Sequence, residues 1–201
     1  MHHMITIIGL GNPGEEYHHT RHNVGRMIVE SFHAKYDFPA WKKDASRNAL
    51  ISRGSVDGKK VQLLLPETYM NASGKSVKDF AGKAKQIQDM IVVHDDLDLP
   101  LGSFKISFDR NAAGHNGVIS IIKHVKSTAF TRVRIGIVPK TPKGTLKKPK
   151  SKEKALDFII GPLKKDEQQT LTDITKELCG ALTSLVTEGR DVAMQTYNTK
   201  K

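Results

Sequence analysis

Apolar residues recur along this chain with two periods, and the change from one to the other lays out its elements. Short runs rich in Ile, Val and Leu stand at Ile5 to Ile8, Ala49 to Arg53, Val61 to Leu65, Met90 to His94, Phe104 to Phe108 and Val133 to Val138. Each predicts a strand, because branched side chains suit a pleated, half-buried surface. Elsewhere the spacing is three and four. Val24, Met27, Ile28 and Phe32 predict one helix, Val77, Phe80 and Ala84 a second, and Val118, Ile121, Ile122 and Val125 a third, while a longer amphipathic stretch runs from about Lys165 to Val186. Asp57-Gly58, between the second and third strand runs, predicts a hairpin turn. Strands and helices alternate around that one hairpin without internal repeats. The expected fold is α/β, a single domain spanning the chain with a mixed twisted sheet flanked by helices.

Composition narrows the class. A chain of 201 residues is long enough to bury about 70% of the surface its unfolded form exposes. No apolar run approaches the roughly 18 residues of a membrane span, so neither a membrane nor a targeting segment is expected. Met4, a second methionine after Met1-His2-His3, predicts that residues 1–3 are vector-derived. Cys179 is the single cysteine, which rules out an intrachain disulfide, makes a reducing cytoplasm the default and reads as a packing residue. Lys plus Arg number 32 against 21 acidic residues, a net +11 that favours a polyanionic partner. The excess is concentrated in "KTPKGTLKKPKSKEK", residues 140–154, with seven lysines and one glutamate. That segment reads either as a solvated loop punctuated by prolines or as a phosphate-facing surface.

The first strand leads into "GLGNPGEEYHHTRHNVG", residues 9–25, in which Gly9, Gly11 and Gly14 have the spacing of a dinucleotide-binding fingerprint. Such a fingerprint needs its last glycine to open a helix and an acidic residue at the end of a second strand about 20 positions on. Glu15 to Arg21 has no apolar periodicity, and Asp37 follows a helical pattern. The glycines therefore shape a loop, and its polar side chains are the candidates for chemistry. Three further polar loops accompany it: "PETYMNASG" after the third strand run, "HDDLDLPLG" after the fourth, and "AGHNG" before a helix. Ligand sites in open α/β sheets gather outside the carboxyl ends of strands, which is where three of the four loops fall.

Together these loops offer His22, Asp95, Asn12, Asn71 and Asn116. No G-x-S-x-G elbow is present, so water is the expected nucleophile, with a histidine as base and a carboxylate to fix its tautomer. Asparagine amides can donate to an oxyanion or accept from substrate N–H groups. Duller readings exist for each: Asn12-Pro13 and Asn116-Gly117 as turns, His22-Asn23 as a helix start, the aspartates as caps. A metal reading of "HDDLD" is disfavoured, since alternation along a strand would send Asp95 and Asp96 to opposite faces.

Taken in order, "GLGNPGEEYHHTRHNVG", "PETYMNASG", "VVHDDLDLPLG", "GHNG" and "RVRIGI" resemble the bacterial-type peptidyl-tRNA hydrolases, over residues 5–138. The resemblance implies hydrolysis of the ester joining a peptide to the terminal ribose of tRNA by a cytoplasmic monomer without metal or organic cofactor. It implies His22 as general base, Asp95 as its orienting partner and Asn12 beside them, its carbonyl favouring an N-blocked substrate. It further implies Asn71 and Asn116 on the peptide and the water or oxyanion, Tyr17 and Tyr69 lining the site, and Arg134 facing tRNA phosphate. Two departures stand out. Ser107 occupies the place of a lysine before "GHNG", within "SFDRNAAGHNG", where Lys105 or Arg110 could substitute, and the lysine-rich segment replaces a short glycine-proline loop. Both concern the grip on tRNA, not the reaction. An RNA-binding protein without activity would account for the charge equally well, but would have no need of His22, Asp95 and the three asparagines together.

Overall fold

The computed structural model describes residues 4–199, so the reading of residues 1–3 lies outside it. Seven strands form one sheet: β1 (Ile5–Gly9), β2 (Lys42–Asp44), β3 (Ala49–Val56), β4 (Lys59–Pro66), β5 (Met90–Pro100), β6 (Phe104–Phe108) and β7 (Thr131–Val138). Their order across the sheet is β2-β3-β4-β1-β5-β7-β6. The four middle strands, β4, β1, β5 and β7, run parallel, and the outer β2, β3 and β6 run antiparallel to their neighbours. Six helices accompany them among the described residues: α1 (Val24–Lys35), α2 (Ala84–Gln88), α3 (Asn116–Val125), α4 (Lys152–Ile160), α5 (Lys165–Thr187) and α6 (Arg190–Asn198).

The mixed sheet and the six strand runs agree with the sequence, as do α1, α3 and α5. Asp57 and Gly58 turn the β3–β4 hairpin with φ of 46° and 76°, the left-handed pair that matches strand twist. One expected helix is different. Val77 and Phe80 lie in a 3-10 segment, Met70–Phe80, and Ala84 opens the separate α2. Serine hydroxyls compete there for the backbone: Ser73 donates to the Met70 carbonyl, and the Gly74 N–H donates to Ser120 Oγ on α3 instead of to its own helix. The lysine-rich segment is also not loop throughout, because Ser151 caps a helix that begins at Lys152.

Two apolar clusters sandwich the sheet. Ile7, Val93, Val133 and Ile135 pack with Val24, Ile28 and Phe32 of α1 and with Leu178 and Leu182 of α5. On the other side Ile8, Leu64 and Val92 pack with Met70, Val77, Val118 and Ile121. Helix α1 lies very close to the sheet at Gly25, where a Cβ would meet the Val93 carbonyl oxygen at 2.2 Å. That approach holds the start of α1, and the residues just before it, against the carboxyl end of β5. Because the central strands are parallel, the loops after β1, β4, β5 and β7 all emerge at one edge.

Candidate active site

The segment Arg21–Asn23 is a single 3-10 turn running directly into α1, and all three of its side chains are buried. His22 Nδ1 lies 2.8 Å from Asp95 Oδ1. His115, the N-cap of α3, approaches the same oxygen, Nε2 to Oδ1 at 2.8 Å, with its ring 5.0 Å from that of His22. His94 completes the cluster, its ring 4.6 Å from that of His115 and its Nδ1 2.6 Å from the Asp95 backbone carbonyl.

These partners fix the tautomers. Asp95 can only accept when ionised, so His22 donates from Nδ1 and keeps a lone pair on Nε2. His115 donates from Nε2, and its Nδ1 accepts from the Val118 N–H at 3.3 Å, so neither of its nitrogens is left to act as a base. His94 donates from Nδ1, and its Nε2 is buried without a partner. Of the three imidazoles, His22 alone combines a lone pair with a position on the wall of the groove. Burial would raise the Asp95 carboxyl, but the two facing imidazoles outweigh it and hold the group well below the usual carboxylate range. Burial, helped by His115 beside it, pushes His94 well below an ordinary imidazole.

The groove in front of this cluster has a volume of about 700 Å³. Leu97, Ala112, Ile119, Leu156 and Ile159 give it apolar walls, and Lys148 and Lys152 stand on its rim with Asp98. His22, Asp95 and Asn116 line it. Asn12 and Tyr69 lie in the adjoining loops, Tyr17 in the 3-10 turn Glu15–Tyr17 and Asn71 near the start of the 3-10 segment Met70–Phe80. Tyr17 and Tyr69 meet edge to face with ring centroids 6.5 Å apart, and Asn71 is exposed beside Met70. Arg134 is not on the groove wall. It shares a sheet face with His94 and Asp96, and its Nε donates to Asp96 Oδ2 at 2.7 Å. Asp95 and Asp96 do point to opposite faces. Among the described residues one group, His22, Asp95 and His115, has ligand atoms close enough to hold a metal ion, all within 4.8 Å of one another.

Asn12 is held differently from expectation. Its Oδ1 accepts from the Met70 N–H at 2.8 Å, while its backbone N–H and carbonyl are both bound by the Asn23 side chain, at 2.8 and 2.9 Å. A backbone N–H can only donate, so the amide orientation is set: Oδ1 accepts from Met70, and Nδ2 makes no hydrogen bond among the described residues. His115 and Asn23 were not singled out from the sequence. The only hint was that each adjoins a chosen residue, His115 in "GHNG" and Asn23 in "RHN".

No serine, threonine or cysteine lies on the groove walls. An imidazole oriented by a buried carboxylate at the wall of a groove is an arrangement suited to general acid–base chemistry. The chain belongs to the peptidyl-tRNA hydrolase family, whose model matches residues 6–201. It is 35% identical over 196 residues to the peptidyl-tRNA hydrolase of Clostridium acetobutylicum, covering 97% of this chain and 98% of that one. With the peptidyl-tRNA hydrolase of Fervidobacterium nodosum it shares 39% identity over 194 residues, 96% of each chain. The crystal structure of peptidyl-tRNA hydrolase from Acinetobacter baumannii superposes with a TM-score of 0.86 at 33% identity, covering 100% of this chain and 97% of that one.

Proposed function

We propose that this protein hydrolyses the ester between a peptide and the terminal ribose of tRNA, releasing free tRNA and an N-blocked amino acid or peptide. The observation that carries the reading is the free lone pair of His22 Nε2 at the groove wall, oriented by the Nδ1 bond to Asp95. His22 takes a proton from water as the oxygen attacks the ester carbonyl, and Asp95 stabilises the imidazolium that forms. The proton then passes to the ribose oxygen as the tetrahedral intermediate collapses. His115 braces Asp95 with a second hydrogen bond to the same oxygen. Asn116, at the start of α3, serves the oxyanion or the water, and Asn71 the peptide backbone. Tyr17 and Tyr69 present aromatic faces for the terminal nucleotide.

The Nδ2 group of Asn12 supplies selectivity. An N-blocked substrate carries an acyl carbonyl that can accept from this donor, whereas a free α-ammonium can only donate and meets no acceptor there. Phosphates of the tRNA lie over Lys105 and Arg134, which are register partners across β6 and β7, and over Arg110 in the loop after β6. The protein works as a monomer in the cytoplasm, its substrate being an intermediate of translation. Among the described residues no helix is long and apolar enough to cross a membrane.

The test is release of N-acetyl-amino acid from N-acetyl-aminoacyl-tRNA. The unmodified protein is expected to cleave it, and His22→Ala to lower turnover by at least ~100-fold while tRNA binding changes little. Undiminished turnover in His22→Ala would remove the central assignment.

A further inference from the structure

The lysine-rich segment after β7 is held along its course by its own hydrogen bonds. Gly144 turns the chain, Thr141 and Thr145 bond through both backbone and hydroxyls at 2.7 Å, and Lys140 bridges to Leu146. The Lys147 N–H donates to the Pro139 carbonyl at 2.9 Å, and Leu146 packs against the core. Ser151 then caps α4. All seven lysines of residues 140–154 are exposed along this fixed course. One of them is neutralised: Lys148 pairs with Asp98 at 2.6 Å on the groove rim. Among the described residues, Lys140, Lys143, Lys147 and Lys150 have no carboxylate partner.

Lysine pays little for exposure alone, but an array held on one rigid turn loses little entropy when it meets a matching row of charges. The array is continuous with the groove, whose walls include Lys148, Pro149 and Lys152 as well as His22. If the scissile ester sits at His22, the phosphodiesters nearest to it fall within a few nucleotide lengths of this rim. We propose that residues 140–150 form a preshaped arm for the phosphates of the tRNA acceptor end, with Lys140, Lys143, Lys147 and Lys150 as its contacts. The proposal rests on the reading of the substrate given above. The arm supplies affinity that Ser107 cannot, and it takes no part in bond cleavage.

The experiment measures the affinity of unacylated tRNA against salt for the unmodified protein, for Lys140→Gln/Lys143→Gln/Lys147→Gln/Lys150→Gln, and for the corresponding four Lys→Arg changes. Each lysine–phosphate contact adds about 0.7 to 0.9 to the log–log slope, so the glutamine variant is expected to flatten it by about three units and to bind at least ~10-fold more weakly at low salt. The arginine variant should keep the steep slope. A glutamine variant with the unmodified slope overturns the arm, whether its affinity is unchanged or lowered equally at all salt concentrations. So does a variant that keeps the slope but loses a preference for acidic peptides in the ester, which would assign the lysines to the peptide. Failure of the reaction itself looks different: steep, arm-dependent tRNA binding without any ester cleavage.

Discussion

At the residue scale, the chemistry depends on which atom of each polar side chain is already engaged. Asn12 illustrates this. Its carbonyl accepts from the Met70 N–H, which orients the amide and leaves Nδ2 without a partner among the described residues. Asn12→Asp keeps an oxygen for Met70 and replaces that donor with an acceptor, which suits an α-ammonium and repels an acyl carbonyl. The ratio of kcat/KM for N-acetyl-aminoacyl-tRNA over aminoacyl-tRNA is expected to fall by at least ~10-fold, an effect of about 1.4 kcal/mol or more. An unchanged ratio would take the discrimination away from Asn12. The sequence marked Asn12 for the site but could not say which end of its amide would be free, because that is fixed by a residue 58 positions away.

At the element scale, the groove wall is held by a contact that also secures the turn carrying His22. Arg21, next to His22, is buried against the junction of α4 and α5. Its guanidinium pairs with Glu167, donates to the carbonyls of Phe158 and Gly161, and lies 4.4 Å above the Phe158 ring. The backbone joins in, with the Arg21 N–H donating to Gly161 and the Leu163 N–H to His19. Glu167 also accepts from the Lys164 N–H at the start of α5. Removing one member of a buried pair leaves a charge or donors without partners and costs about 3–5 kcal/mol. Glu167→Gln is expected to lose stability on this scale in urea unfolding, and Arg21→Met/Glu167→Leu together to lose less than the sum of the two single changes. Additive losses would mean that the pair is not coupled. Helix α4, on which this clasp acts, was not foreseen. Its five apolar residues, Ala155, Leu156, Phe158, Ile159 and Ile160, follow a lysine run and are too closely spaced to define one face.

At the scale of the whole molecule, stability responds to acid through the buried cluster at the carboxyl end of β5. His94 is neutral in the fold because burial and His115 depress it, whereas in the unfolded chain it titrates near about 6.5. Below that value the unfolded state binds a proton that the native state lacks, so stability falls with pH by up to about 1.4 kcal/mol per unit; above it this contribution is fully present. Asp95 acts lower, because its depressed carboxyl contributes stability that is lost only as pH drops below about 4. The stability advantage of the unmodified protein over His94→Gln is therefore expected to shrink by about 1 kcal/mol between pH 7.5 and 5.5 in urea titrations. A difference independent of pH would mean that His94 carries no buried-neutral penalty.

Much of this molecule follows from its sequence. Six strands, the helices α1, α3 and α5, the β3–β4 hairpin and the polar loops were legible because their signals are local: apolar period, turn residues and motif order. Strand β2 was not, since Lys42-Lys43-Asp44 has no apolar alternation and is a strand through its backbone pairing with β3. Nor was the 3-10 form of Met70–Phe80, which hydroxyls and the close packing of α3 impose. Local signals alone bring the right residue types to the carboxyl ends of the parallel strands. Only the tertiary structure decided that His115 would share Asp95 with His22, that Arg134 would be bound to Asp96, and that the lysines after β7 would be held in a fixed array, because a side chain's free atom is whatever its neighbours in space leave unpaired.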